Sequence, residues 1–260
     1  FTDAENKKGS WSIPKLTKDR PIIHLSISVS YSGWALAYIG RELGFDIKIA
    51  YPDTKDYPQK ALEKIESLGA ELVPMKPNIL SIVTSSVANL AKRENYQMMP
   101  YAFNHPAYIK YFEDRMKQLI QNSPNKNFKY LVVNAGSGVT PSGLLKGFFG
   151  ERQVYVDESD IKKAYLVTTA SISSIKKTLT KWDVFYNTGL KKNHTTSIYE
   201  TPHDFFDDME RCETPFPCNG NWDKKAWDWL EKSEEFYCKD GEHILFYNLG
   251  GDCASKIWSK

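Results

Sequence analysis

The stretch Tyr130-Leu-Val-Val-Asn-Ala-Gly-Ser-Gly-Val-Thr-Pro-Ser-Gly-Leu-Leu145 joins an apolar run, a glycine turn and a second apolar run. Tyr130 to Val133 reads as a buried strand, and Leu144-Leu-Lys-Gly-Phe-Phe149 continues the chain as a helix. Between them, Gly136 and Gly138 allow the backbone to approach an anion, and free N–H groups at a helix N-terminus point toward one. Strand, glycine turn and helix start are the parts of a phosphate cradle. Gly136, Ser137, Gly138, Val139 and Thr140 are its predicted contacts. A plain strand–helix turn that needs glycine for tight packing carries the same signature.

Outward from this stretch the chain alternates strands and helices. Ile22 to Ser28 reads as a buried strand. Gly33 to Leu43 reads as a helix, with Trp34, Leu36, Ala37, Ile39 and Leu43 at helical spacing and Gly44 as its stop. Asp46 to Tyr51 is a strand, Pro58 to Leu68 a helix closed by Gly69, and Glu71 to Pro74 a third strand. Asn78 to Arg93 and Pro106 to Gln121 are predicted helices, followed by a polar break at 122–127. After the glycine turn, Lys163 to Thr168 is a fifth strand and Ile172 to Trp182 is mixed. Asn187 to Cys212 is polar and aperiodic, an expected mobile insertion over a site. Trp222 to Leu230 is a helix whose tryptophans (Trp222, Trp227, Trp229) read as core, and His243 to Asn248 is the last strand. Short turns between alternating elements imply parallel βαβ units. The expected fold is α/β in two lobes of parallel sheet flanked by helices: a smaller one at 33–127, and a larger one from 1–32 and 128–260.

Bulk properties exclude some classes. A net charge of +2 gives no global attraction to nucleic acid or anionic membrane. No apolar run approaches the ~20 residues that span a bilayer, and no signal peptide is read, so a cytoplasmic protein is expected. Cys212, Cys218, Cys238 and Cys253 lack zinc-site spacing and read as reduced thiols, with a Cys212–Cys218 disulfide as the alternative. The five histidines are scattered, and no metal is expected.

A second landmark is Ser26-Ile-Ser-Val-Ser-Tyr-Ser-Gly-Trp-Ala-Leu-Ala-Tyr-Ile-Gly-Arg-Glu-Leu-Gly44. A small-residue turn before a helix gathers hydroxyls and N–H groups into a pocket suited to a carboxylate. Together with Leu68-Gly-Ala-Glu-Leu-Val73, the glycine turn, and Asp223-Lys-Lys-Ala-Trp227 followed by Leu245-Phe-Tyr-Asn-Leu-Gly-Gly251, this order resembles the fold-type II pyridoxal phosphate enzymes. These are the tryptophan synthase β-like group, and the resemblance runs from about Ile22 to Gly251. It implies cofactor phosphate on Gly136 to Thr140 and substrate carboxylate on Ser28, Ser30, Ser32 and Gly33. Tyr31 falls where the family carries an Asn beside the cofactor ring. Leu249 replaces the Ser or Thr that the family offers to the pyridine nitrogen, and Glu213 is the alternative partner.

The resemblance also demands a Schiff-base lysine upstream of the turn. Lys7 and Lys8 are the candidates, with Lys8 preferred. A different alignment puts Ser12 at that position. A working site would act at the α-carbon of an amino acid, by elimination, deamination or decarboxylation. The turn also looks similar to proteins of large phage genomes, some of which act on amino acids attached to thymine bases in DNA. The partner is then a free amino acid or an amino-acid-modified DNA base. A binding protein that kept the fold and lost the lysine is the third possibility. A homodimer is expected from the resemblance.

Overall fold

A computed structural model describes residues 16–27, 30–55, 57–124, 128–150, 162–184, 194–204, 209, 212–216, 218–220, 222–233 and 242–249. The described residues up to His105 form one compact unit and those from Pro106 a second.

The first unit contains β1 (Ile22–Leu25), α1 (Ser32–Leu43), β2 (Ile47–Pro52), α2 (Gln59–Ser67), β3 (Glu71–Met75), α3 (Leu80–Arg93) and β4 (Gln97–Met99), then a 3-10 turn at Tyr101–Phe103. Its strands pair in parallel in the order β3-β2-β1-β4. All four residues of β1 are buried, as expected of a central parallel strand covered on both faces. Successive residues face opposite sides. Ile22 packs with Leu36 and Ala37 of α1 and Ile65 of α2, whereas Ile23 and Leu25 pack with Val83 and Val87 of α3. Period two therefore turns His24 toward the α1 face. Helix α1 stops where Gly44 turns left-handed (φ 69°) and its N–H bonds the carbonyls of Arg41 and Gly40.

The second unit opens with α4 (Pro106–Asn122) and continues through β5 (Phe128–Asn134), α5 (Val139–Phe149), β6 (Lys162–Thr168), α6 (Ile172–Lys181), β7 (His194–Glu200), α7 (Asp223–Lys232) and β8 (His243–Tyr247). The strands are parallel in the order β7-β6-β5-β8. Leu131 and Val133 pack with Phe112 and Met116 of α4, Leu144, Leu145 and Phe148 of α5, and Ile175 and Leu179 of α6. Tyr130 and Val132 pack on the other face with Ala226 of α7. Helix α5 lies so close on α4 that a Cβ at Gly143 would stand 2.5 Å from the Ile109 carbonyl oxygen. Helix α4, expected in the smaller lobe, thus shares a core with β5 and α5.

Gln97–Met99 is a strand in a stretch the sequence left unassigned, too short to show a period. The structure corrects two local expectations. Ile172–Lys181 is a regular helix, capped by the Ser171 hydroxyl on the Ser174 N–H. Part of the aperiodic stretch, His194–Glu200, is strand β7, which among the described residues is an edge strand paired with β6. Its Thr-Thr-Ser composition resembles a loop because an edge strand can carry polar residues.

Candidate functional site

The two sheets repeat one construction. In each, the first strand is central, the next two add on one side, and the fourth adds on the other. The loops after β1 and β5 therefore leave the points where strand order reverses. Open α/β sheets bind ligands outside the carboxyl ends of such strands. The sequence picked out these same two loops, one in each unit.

In the second unit the loop Ala135–Gly138 is anchored at its entry. The Ala135 N–H bonds the Val167 carbonyl at 2.8 Å, and the Thr168 hydroxyl donates to the Ala135 carbonyl at 2.6 Å. Gly138 has φ 80° and ψ −5°, a left-handed conformation that L side chains rarely adopt. Gly136 is glycine for a different reason: a Cβ there would lie 3.0 Å from Cζ3 of Trp222. The main chain at Trp222 is tied to the strand, because Asn134 Nδ2 donates to the Trp222 carbonyl at 2.8 Å. Tight packing thus explains Gly136, while Gly138 shapes the turn itself.

The donors of this loop remain available. Among the described residues, the N–H groups of Gly136, Ser137, Gly138 and Thr140 meet no hydrogen-bond acceptor, and that of Val139 has only the Ser137 hydroxyl at 3.4 Å. The first turn of α5 holds no acidic side chain, so its dipole is unopposed. The Thr140 hydroxyl lies 3.4 Å from that of Tyr108. Thr169, after β6, buries a hydroxyl that has no hydrogen-bond partner among the described residues. These groups suit a phosphate dianion. Trp222 and Thr169 are components the sequence did not single out: Trp222 read as core, and Thr169 lies in no motif.

In the first unit the turn after β1 contains a chain of hydroxyls. Ser30 Oγ lies 2.8 Å from Ser32 Oγ and also accepts from the Ser32 N–H at 3.2 Å. Ser32 Oγ lies 2.8 Å from Nε2 of His24, whose Nδ1 is 3.4 Å from the Met99 carbonyl oxygen of β4. The imidazole is fully buried and stacks on Phe103, centroids 4.9 Å apart and planes 7° from parallel. Burial pushes His24 down from 6.5 to about 4, against the opposing pull of the Met99 carbonyl, so the ring is neutral at pH 7. Phe103 holds its place through left-handed backbone at itself (φ 54°) and at Ala102 (φ 52°). Gly33 is excluded from bearing a side chain because a Cβ would sit 2.7 Å from Ser26 Oγ. Tyr31 immediately precedes α1, half-buried with its hydroxyl enclosed. Helix α1 also lacks an acidic residue in its first turn. His24 had appeared in the sequence only as one of five scattered histidines.

Of the other expected positions, Lys7, Lys8, Ser12 and Ser28 lie outside the described residues. Glu213 is exposed in an irregular segment, and Leu249 is also exposed. A lysine that the sequence passed over, Lys225 of α7, is fully buried with Nζ donating to the Asp204 carbonyl at 2.6 Å. Cys212 and Cys218 carry free thiols. Among the described residues no His, Cys, Asp and Glu cluster could hold a metal, and no helix is long and apolar enough to cross a membrane.

Known proteins share this pattern. The family described as pyridoxal-phosphate dependent enzyme matches residues 25–212, a span that contains both loops. A protein of Pseudomonas phage M6, named glycyl-dTMP PLP-dependent decarboxylase, is 26% identical over 245 residues, covering 90% of this chain and 84% of its own length. Among solved structures, an ACC deaminase homologue superposes with a TM-score of 0.64 at 17% identity, covering 92% of this chain and 78% of the other. Cysteine synthase from Entamoeba histolytica superposes with a TM-score of 0.63 at 15% identity, covering 94% and 73%. At such identities these two structures establish the shared fold alone.

Proposed function

Because the chain belongs to the pyridoxal-phosphate-dependent enzyme family, we propose that it removes the carboxylate of a glycyl group carried on a thymine nucleotide. The observation that carries this reading is the phage decarboxylase, alignable over 90% of this chain. The α/β architecture with two parallel sheets is that of fold type II, and the cofactor is pyridoxal phosphate.

In this reading the second unit grips the cofactor phosphate through the N–H groups of Gly136 to Thr140 at the start of α5. Tyr31 remains the proposed neighbour of the ring, and Lys8 or Lys7 the proposed amine that bonds the cofactor aldehyde. Glu213 is the proposed partner of the pyridine nitrogen. When bound, the cofactor supplies an electron sink for the pair left on the α-carbon. The turn at Ser28 to Gly33 receives the substrate carboxylate, with N–H groups at the start of α1 orienting it.

The test is to load the protein with pyridoxal phosphate and offer glycyl-modified thymidine monophosphate beside free glycine, serine and threonine. Carbon dioxide released from the nucleotide, with little from the free amino acids, is the expected result. Turnover of a free amino acid with none of the nucleotide would replace this substrate with a free one.

A further inference from the structure

The chain from Met99 through His24 to Ser30 has a fixed direction. A carbonyl oxygen only accepts, so His24 Nδ1, 3.4 Å from the Met99 oxygen, carries the ring proton. The neutral ring then has a bare Nε2, and Ser32 must donate its hydroxyl proton to it across 2.8 Å. With that proton committed, Ser30 must donate in turn to Ser32 Oγ, also at 2.8 Å. Both hydroxyl protons of the turn therefore point inward. The imidazole is completely buried and held in a stack on Phe103.

We propose that His24 is a positioning residue that draws the hydroxyl protons of Ser32 and Ser30 inward, so that the turn meets a substrate carboxylate with backbone N–H groups and oxygen lone pairs rather than O–H donors. The consequence for chemistry rests on the decarboxylation reading above. A carboxylate that leaves as carbon dioxide loses its charge in the transition state, so every donor that holds the anion stabilises the ground state more than the transition state. In the step R–CH2–COO⁻ + H⁺ → R–CH3 + CO2, the Cα–carboxyl bond breaks. Its electron pair stays with the α-carbon, which then takes up one proton. Withholding two hydroxyl donors speeds that bond cleavage at the expense of binding.

The proposal separates from a structural role by the sign of its effect. Histidine 15N NMR of the cofactor-free protein should show His24 as the neutral Nδ1–H form at pH 7, with its Nε2 resonance shifted by Ser32→Ala. His24→Phe keeps the ring stack on Phe103 and releases both hydroxyl protons. In the pyridoxal phosphate-loaded protein this variant should bind glycine about tenfold more tightly, while kcat for carbon dioxide release falls. An Nε2–H tautomer in the wild type would overturn the proposal without any variant. Glycine affinity that is unchanged or weaker in a folded His24→Phe would also overturn it. Tighter glycine binding with no carbon dioxide release from any substrate would uphold the hydroxyl orientation and sink the decarboxylase reading instead.

Discussion

Replacing Gly138 with alanine probes the cradle and the backbone that shapes it together. Gly138 sits at φ 80°, where an L residue is strained by roughly 1–2 kcal/mol. The new methyl would stand 3.1 Å from Thr178 Cβ and 3.5 Å from the Ile175 carbonyl oxygen, adding about 1 kcal/mol of crowding against α6. The narrower unfolded ensemble of alanine returns about 0.5–1 kcal/mol. The net destabilisation is therefore about 2 kcal/mol, read as a lower urea midpoint with unchanged slope. Relief of the strain swings the flanking peptide groups and withdraws an N–H from the phosphate. One charge-assisted hydrogen bond is worth about 1.5–3 kcal/mol, so pyridoxal phosphate should bind about tenfold or more weakly. Pyridoxal, which lacks the phosphate, should bind as before. A variant as stable as wild type with the same affinity for pyridoxal phosphate would refute both the strain and the phosphate contact.

Other perturbations address the remaining structure. Gly136→Ala should destabilise the protein by about 1–2 kcal/mol because its Cβ meets Trp222, and that penalty should largely vanish in a Trp222→Ala background, as a double-mutant cycle would show. Gly147→Ala, whose Cβ would lie 2.6 Å from Met116 Cβ, should separate α4 from α5 and lower stability by about 1–3 kcal/mol with helix content retained by circular dichroism. His24 makes the fold acid-sensitive. Its folded value of about 4 lies below the unfolded 6.5, so the unfolded chain takes up a proton first and stability falls as pH drops through that window. The loss is on the order of 3 kcal/mol, none of it above pH 6.5. His24→Phe should remove that slope in denaturant titrations at successive pH values, and an unchanged slope would place the ring in contact with water.

Much of the fold was legible because parallel strands buried on both faces leave unbroken apolar runs. Ile22 to Ser28 and Tyr130 to Val133 stood out for that reason, within or around β1 and β5, and glycine stops marked α1 and α2. Strand β4 has three residues, below any period, and went unassigned, while β7 carries its polar residues at an edge and so passed as a loop. The two loops at the strand reversals were visible as glycine and serine clusters. The side chains that complete them were not: Trp222 reaches its loop through a contact at long sequence separation, and His24 meets Ser32 only through the way the chain folds back after β1. Trp222 meets Gly136 across the sheet end, and His24 reads Ser32 only because period two turns it toward α1. The buried Lys225 was hidden similarly, as its partner is a main-chain oxygen of Asp204.

Comparing pyridoxal phosphate with pyridoxal on the wild-type protein, by titrating the cofactor absorbance band, tests the phosphate grip of the α5 N-terminus most directly. Two or more N–H contacts to the phosphate should make pyridoxal phosphate bind about 100-fold or more tightly. Equal affinities would contradict it and leave the loop at Gly136 to Thr140 as a packing turn.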